Sequence, residues 1–395
     1  MVTRSGWLLL MGSVVTVVAG RAFALPELYL LGATGAALLL GAFVLVRRSP
    51  PNLDVERTVH PQRVHLGGQS RVELCITNRS LRRAPVVTLH DPVVGTVGAR
   101  VSLAPLDPGE DQAASYRLPT ERRGIVRVGP LEAQVTDAFG LVRRCFAVAG
   151  DATLTVLPAI ENLGGLASGG GLDDPLAGIA HPVLGSLGDE DFATLRPYVV
   201  GDDLRRVHWA SSARAGDLLV RQDDPPWQGH LTVVLDAREE RLDADQFEVA
   251  VSAAASLVNA IAVRGDRARL IITNGTDTGL LDARAGRDTL LEHLAVVKLH
   301  QGGELPEPAL DGRSRTGGLI LVTGTPNGSD LARLVAQRPR FATIRLVIID
   351  PSVIGGARQY HPTANTPGVE AVVVDRDHPF GEAWRDSMRR TAVRR

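Results

Sequence analysis

The sequence predicts two membrane-spanning helices, then an immunoglobulin-like β-sandwich, then a doubly wound, Rossmann-like α/β domain. Three observations carry this expectation. Two long apolar runs fill the first 48 residues, and short alternating apolar–polar runs follow Pro50-Pro51. From Leu231 onward, strands that are apolar throughout alternate with segments of helical periodicity. The chain has 395 residues, with 43 basic against 44 acidic side chains. At roughly 150 residues per domain, that length fits two or three domains.

The first element, a transmembrane hairpin over 1–48, rests on charge and length. Gly6 to Gly20 is uncharged, and Leu28 to Val46 gives 19 consecutive residues without a charge. Nineteen helical residues rise about 28 Å, close to the roughly 30 Å of hydrocarbon in a bilayer. The first run ends at Arg21, which can snorkel to the interface, and Ala22-Phe23-Ala24 resembles a signal-peptidase site. Arg4 precedes the first run, and Arg47 and Arg48 follow the second. The positive-inside rule therefore puts the Arg21–Glu27 link outside and the large remainder in the cytoplasm, cleaved or not.

The β-sandwich is expected over 49–160. Arg71-Val72-Glu73-Leu74-Cys75-Ile76-Thr77-Asn78 alternates as a half-buried strand does. Val86–Leu89, Tyr116–Leu118, Ile125–Val128, Ala133–Thr136 and Thr153–Leu157 are further strand candidates, separated by Gly, Pro, Asn and Asp turns. Short strands at this spacing suggest an immunoglobulin-like sandwich. Cys75 and Cys145 fall in strand-like runs whose separation suits an inter-sheet disulfide, but we expect two buried or half-buried thiols in a reducing compartment.

A glycine-rich linker follows over 161–188, with Gly164-Gly165 and Gly169-Gly170-Gly171. The charged segment 189–230 holds the densest motif, which runs from Gly201, Asp202 and Asp203 through Arg205 and Trp209 to Arg214. Eleven carboxylates against five arginines give 161–230 a net charge of −6, an excess hidden in a chain total of −1. Arginines among carboxylates form directional, bidentate pairs. Two readings stay open: an exposed docking surface anchored on Trp209 and the arginines, or an ion-pair network that fixes the segment in place.

The α/β domain is expected over 231–395. Strands are predicted at Leu231–Leu235, Ala268–Thr273, Leu319–Thr323, Thr343–Asp350 and Ala371–Asp375. Helices are predicted at Asp245–Val263, Asp288–Leu299, Asp330–Gln337 and Phe380–Ala392. Such alternation indicates a parallel sheet covered on both faces, with ligands at the carboxyl ends of the strands. Asp236, Thr323, Asp350 and Asp375 lie at those ends.

The composition excludes several chemistries. Lys298 is the one lysine, in an apolar, helix-like context, and no Gly-Lys-Ser/Thr phosphate loop surrounds it, so a P-loop NTPase is ruled out. No Cys-x-x-Cys pair, His-Glu-x-x-His motif or Gly-x-Ser-x-Gly elbow occurs. Near-neutral charge gives no general attraction to nucleic acid.

The run Gly201-Asp202-Asp203, Arg205, Trp209 and Ala213-Arg214, leading into a strand that ends in aspartate, resembles the bacterial family known as domain of unknown function 58. Arg123-Gly124, Gly129-Pro130 and Asp137-Ala138-Phe139-Gly140-Leu141 resemble that family's β-rich lead-in. The resemblance implies a von Willebrand factor A-like domain over 231–395 and association with a MoxR-type AAA ATPase. It also implies an Mg²⁺ site of Asp-x-Ser-x-Ser form, with a later threonine and aspartate as hard oxygen ligands. Here that stretch is Asp236-Ala237-Arg238-Glu239-Glu240, and the later strand ends Val322-Thr323-Gly324-Thr325. The positions of Asp236, Arg238, Glu240 and Thr323 thus form a degenerate site with no metal or other cofactor expected. The function expected is a membrane-anchored, non-enzymatic adaptor. The alternatives are a metal-dependent hydrolase using Asp236, Asp350 and Asp375, and an envelope ligand-binding protein.

Overall fold

The structure, a computed structural model, describes residues 1–48, 52–163, 194–198, 207, 209–222, 230–307, 317–341, 343–356 and 368–393. They form two compact units, Met1–Leu157 and Pro158–Arg395. The linker glycines from Gly164 onward lie outside the described residues.

The first unit opens with helices α1 (Arg4–Phe23) and α2 (Pro26–Arg48). Thr3 caps α1 by accepting a hydrogen bond from the Gly6 N–H. Glycines let the helix backbones approach: a Cβ at Gly32 would stand 2.8 Å from the Ser13 carbonyl, and one at Gly35 would stand 2.3 Å from the Ser13 hydroxyl. The outward faces carry exposed Leu8, Val15, Leu30 and Leu40. Both helices are long and apolar enough to cross a membrane.

Ten strands follow: β1 (Leu53–His60), β2 (Arg63–His65), β3 (Arg71–Asn78), β4 (Val87–Asp91), β5 (Ala99–Leu103), β6 (Asp111–Arg117), β7 (Gly124–Val128), β8 (Leu131–Thr136), β9 (Arg143–Ala149) and β10 (Ala152–Leu157). They pair as sheets β1-β3-β6, β2-β10-β7 and β5-β4-β8-β9. One core is shared by all three sheets, with Leu74 and Ile76 from β3, Leu89 from β4, Leu131 from β8 and Leu154 from β10. Strand β3 alternates buried and exposed as its sequence predicts.

The cysteines depart from expectation. Cys75 and Cys145 are exposed free thiols on strands of different sheets, not buried or half-buried ones, because both occupy outward positions of the alternation. Strand β1 escaped sequence reasoning because Arg57 interrupts its apolar alternation at an inward position. Arg57 Nη1 donates to Asp91 Oδ1 at 2.8 Å, and the Tyr116 hydroxyl donates to Asp91 Oδ2 at 2.6 Å. Arg57 and Tyr116 belong to one sheet and Asp91 to another, so this buried pair ties two sheets together.

The second unit holds a hairpin of β11 (Thr194–Pro197) and β12 (Leu219–Gln222) with the short helix α3 (Trp209–Ala215) between them. Its main sheet contains β13 (His230–Leu235), β14 (Arg267–Ile272), β15 (Leu281–Asp282), β16 (Gly318–Thr323), β17 (Thr343–Ile349) and β18 (Glu370–Val374), in the order β15-β14-β13-β16-β17-β18. The sheet is mixed, not wholly parallel as expected: β15 pairs antiparallel with β14, while the other neighbours are parallel.

Helices α4 (Ala244–Arg264), α5 (Ala283–Val296), α6 (Gly328–Ala336) and α7 (Phe380–Val393) complete the unit. Helix α4 also has the length and apolarity of a membrane span, but 67% of that stretch is buried inside the unit. Its alanines pack on the sheet, and Asp243 and Gln246 form a capping box at its start. Helix α5 starts five residues earlier than predicted, because Asp282 caps it by accepting from the Arg284 and Ala285 N–H groups. It also ends earlier, so Lys298 is exposed beyond the helix rather than within one.

Candidate functional site at the strand ends

The parallel strands run β14-β13-β16-β17-β18, the 2-1-3-4-5 order of a doubly wound sheet, with the switch point between β13 and β16. Asp236 follows β13 and Thr323 ends β16, so the crevice that such sheets use for ligands opens between these two residues. The Asp236 N–H donates to the Val322 carbonyl at 2.9 Å, which holds the two strand ends together.

The chain fills this crevice with its own arginine. Arg238 folds back on Asp236: Nε donates to Oδ1 at 2.8 Å and Nη2 donates to Oδ2 at 2.8 Å. Thr323 Oγ1 donates to the same Oδ2 at 2.7 Å. On its far side the guanidinium donates from Nη1 and Nη2 to Asp330 Oδ1, both at 3.1 Å. Arg241 Nε lies 2.9 Å from Asp330 Oδ2. Asp236 is fully buried, and Arg238, Thr323 and Asp330 are nearly so. The hydrogen bond to Asp236, reinforced by Asp330, holds the Arg238 guanidinium well above its ordinary range despite the opposing cost of burial.

Local sequence explains the placement. The Asp330 carboxylate is at N3 of α6, where Asn327 and Asp330 form a capping box. The loop after β13 is stitched down by backbone pairing: Glu239 N–H donates to the His300 carbonyl, and His300 N–H donates to the Ala237 carbonyl. Thr273 Oγ1 accepts from the Ala237 N–H at 2.8 Å and lies 2.9 Å from His300 Nε2. Glu240 points away from the crevice and is exposed. It accepts from the Gly302 N–H, which lowers its pKa below the usual carboxylate range.

Of the sequence-predicted residues, the structure therefore brings Asp236, Arg238 and Thr323 into one cluster and leaves Glu240 outside it. Sequence reasoning missed Asp330 and Arg241 as members. The signal available for Asp330 was Asn327-Gly328-Ser329-Asp330, a capping box directly after a strand end. Asp350 and Asp375 are not gathered with Asp236. Asp350 Oδ1 accepts from the Ser352 N–H at 2.8 Å, and Asp375 Oδ1 accepts from the Asp377 and His378 N–H groups. Among the described residues, no group of three or more His, Cys, Asp or Glu is placed to hold a metal ion.

In the upstream motif, Trp209 is 65% exposed and Arg214 is exposed. Helix α3 is fastened to β12 through Ser212. The Leu219 N–H donates to Ser212 Oγ at 2.8 Å, and Val207 bridges to Val220, both of them buried. Gly201, Asp202, Asp203 and Arg205 lie outside the described residues.

Residues 194–333 match the family described as "Protein of unknown function DUF58". Over these residues the chain is similar to that family. The matched region begins at β11, contains Trp209 and Arg214, and ends inside α6 just beyond Asp330, so it encloses the whole arginine cluster. A curated relative is the "Uncharacterized protein YeaD" of Bacillus subtilis (strain 168), 24% identical over 223 residues. The match covers 53% of each chain, so this chain spans about half the length of that relative. Among solved structures, the CARDB domain of the PF1109 protein from Pyrococcus furiosus is 21% identical, with TM-score 0.21 over 27% of this chain and 91% of that one. The putative ApaA protein from Bordetella pertussis is 16% identical, with TM-score 0.20 over 27% of this chain and 96% of that one. Scores this low carry no argument.

Proposed function

We propose that this protein is a membrane-anchored, non-enzymatic adaptor whose α/β unit docks a protein partner, a MoxR-type AAA ATPase. In this reading α1 and α2 span the plasma membrane, with the large remainder cytoplasmic. The β-rich region is an immunoglobulin-like sandwich and the α/β unit is von Willebrand factor A-like. The observation that carries the reading is the occupation of the switch-point crevice by Arg238. Both Asp236 oxygens are taken by N–H and O–H donors, and a fixed positive charge stands where a divalent cation would need to sit. These residues do not fit Mg²⁺, since the Asp236 carboxylate has neither oxygen left free for metal-assisted hydrolysis.

With chemistry disfavoured at the crevice, the exposed Trp209 is the best anchor for binding. Tryptophan and arginine dominate the energetics of protein interfaces, and Trp209 sits on a helix tied to β12 through Ser212. The test is capture of the partner ATPase by the full-length, detergent-solubilised protein, with wild type and Trp209→Ala compared at equal loading. Retention by wild type and loss of at least ~10-fold with Trp209→Ala supports the adaptor, a factor equal to about 1.4 kcal/mol. Retention of no ATPase by the wild-type protein refutes it.

A further inference from the structure

One motif plays no part in that function: Asp137-Ala138-Phe139-Gly140-Leu141, the turn between β8 and β9. Its geometry is tightly specified. Asp137 accepts from the Phe139 N–H at 2.9 Å and from the Val142 N–H at 2.6 Å, and Gly140 takes a positive φ of 70°. The result is a rigid turn that leaves Phe139 70% exposed at its tip.

The position of the turn is set by the helical hairpin. Thr3, immediately before α1, donates from Oγ1 to the Gly140 carbonyl at 2.6 Å and from its N–H to the Leu141 carbonyl at 2.9 Å. Val2 bridges to Val142, and Arg144 Nη1 donates to the Arg47 carbonyl near the end of α2. Leu141 and Val142 pack with Leu39, Ala42 and Val46 of α2. The open end of the hairpin is thus seated on this turn. Strand register extends the same rim: Leu53 pairs with Asn78, and Val87 pairs with Val135, so the turn after β3 lies at the same end of the unit. Leu81 in that turn is 98% exposed.

We propose that this rim is a phospholipid-surface contact. Phe139 and Leu81 enter the boundary between headgroups and acyl chains, and Arg4, Arg47, Arg143 and Arg144 face headgroup phosphates. The proposal rests on the reading that α1 and α2 span a bilayer, and it adds a face of the β-rich region to the anchor. A helix that begins at residue 4 brings anything bonded to Thr3 to the membrane surface. Trp7 lies about 6 Å further along α1 and is 57% exposed. Arg47 sits 5.5 Å from the Phe43 ring centroid. Trp7, Phe43 and Phe139 then lie within the interfacial layer, with arginines on its watery side.

The experiment uses the full chain in nanodiscs of mixed zwitterionic and anionic phospholipid. Cys75→Ser and Cys145→Ser remove the native thiols. Single nitroxide labels are then placed through Phe139→Cys, Leu81→Cys, Leu40→Cys and Val97→Cys. Val97 is 95% exposed in the turn at the opposite end of β4 and serves as the aqueous reference. Accessibility to oxygen and to a water-soluble nickel chelate reports depth. The expected result is several-fold protection from nickel at both 139 and 81 relative to 97. Nickel access at 139 and 81 equal to that at 97, with position 40 still shielded, overturns the lipid contact and leaves the anchor standing. Nickel access at position 40 as well overturns both.

Discussion

Replacing Arg238 with alanine is the sharpest perturbation of the strand-end cluster. The substitution removes the cation between Asp236 and Asp330 and leaves two buried carboxylates facing each other. Asp236 loses two 2.8 Å hydrogen bonds from the guanidinium and keeps those from Thr323 Oγ1 and the residue 238 backbone N–H, while Asp330 loses two at 3.1 Å and keeps Arg241. Breaking a buried ion pair by removing one partner costs about 3–5 kcal/mol, because the other charge stays desolvated. For a unit of this size, roughly 2–4 °C of melting temperature accompany each kcal/mol, so a fall of about 6–20 °C is expected. The assay is thermal unfolding of the full-length protein in detergent, with Glu240→Ala as a control that should change stability by less than ~0.5 kcal/mol. Adding Asp330→Asn to Arg238→Ala should recover part of the loss, since it removes the repulsion between the two carboxylates, although in Arg238→Ala alone Asp330 still keeps its ion pair with Arg241. A drop below about 1 kcal/mol for Arg238→Ala would show that the cluster is solvated and refute its role as the internal occupant of the crevice.

Two further outcomes are expected. Burial, and then the hydrogen bond to Asp91, raise the Tyr116 hydroxyl above its ordinary pKa of 10.0, so the folded protein holds this proton more tightly than the unfolded chain does. Stability of the first unit should therefore fall as pH rises above about 10, and Tyr116→Phe should flatten that fall at a cost near 1 kcal/mol at neutral pH; alkaline melts check both. At Gly324 a Cβ would stand 1.9 Å from the Arg241 carbonyl, so Gly324→Ala should push the Arg238 loop off the β16 end and cost about 1–3 kcal/mol in a denaturant titration.

Much of the fold was legible because burial on both faces leaves a plain trace. Leu231–Leu235 and Leu319–Thr323 carry no charge and are apolar but for one threonine each, and each lies within one residue of the strand observed. The paired apolar helices were equally plain. The β-rich region was less so, since β1 hides a buried arginine at an inward position and β9 is half exposed along its length. A sequence records Arg57 and Asp91 as two surface-type residues 34 positions apart, and only the packing of their two sheets on a shared core brings them together. The candidate site was half legible for the same reason. Asp236, Arg238 and Thr323 stand at strand ends that periodicity locates, whereas Asp330 arrives from 92 residues beyond Arg238 through the start of a helix.

The arginine in the switch-point crevice behaves as a ligand tethered to its own receptor. Its effective concentration is set by a two-residue span of backbone, so it neither dissociates nor competes on equal terms with solutes. In the proposed reading, magnesium levels, which would tune a surface completed by a soluble cation, leave these strand ends unchanged. The charge presented there is set when the chain folds, and for the proposed adaptor any switching then originates in the partner it docks.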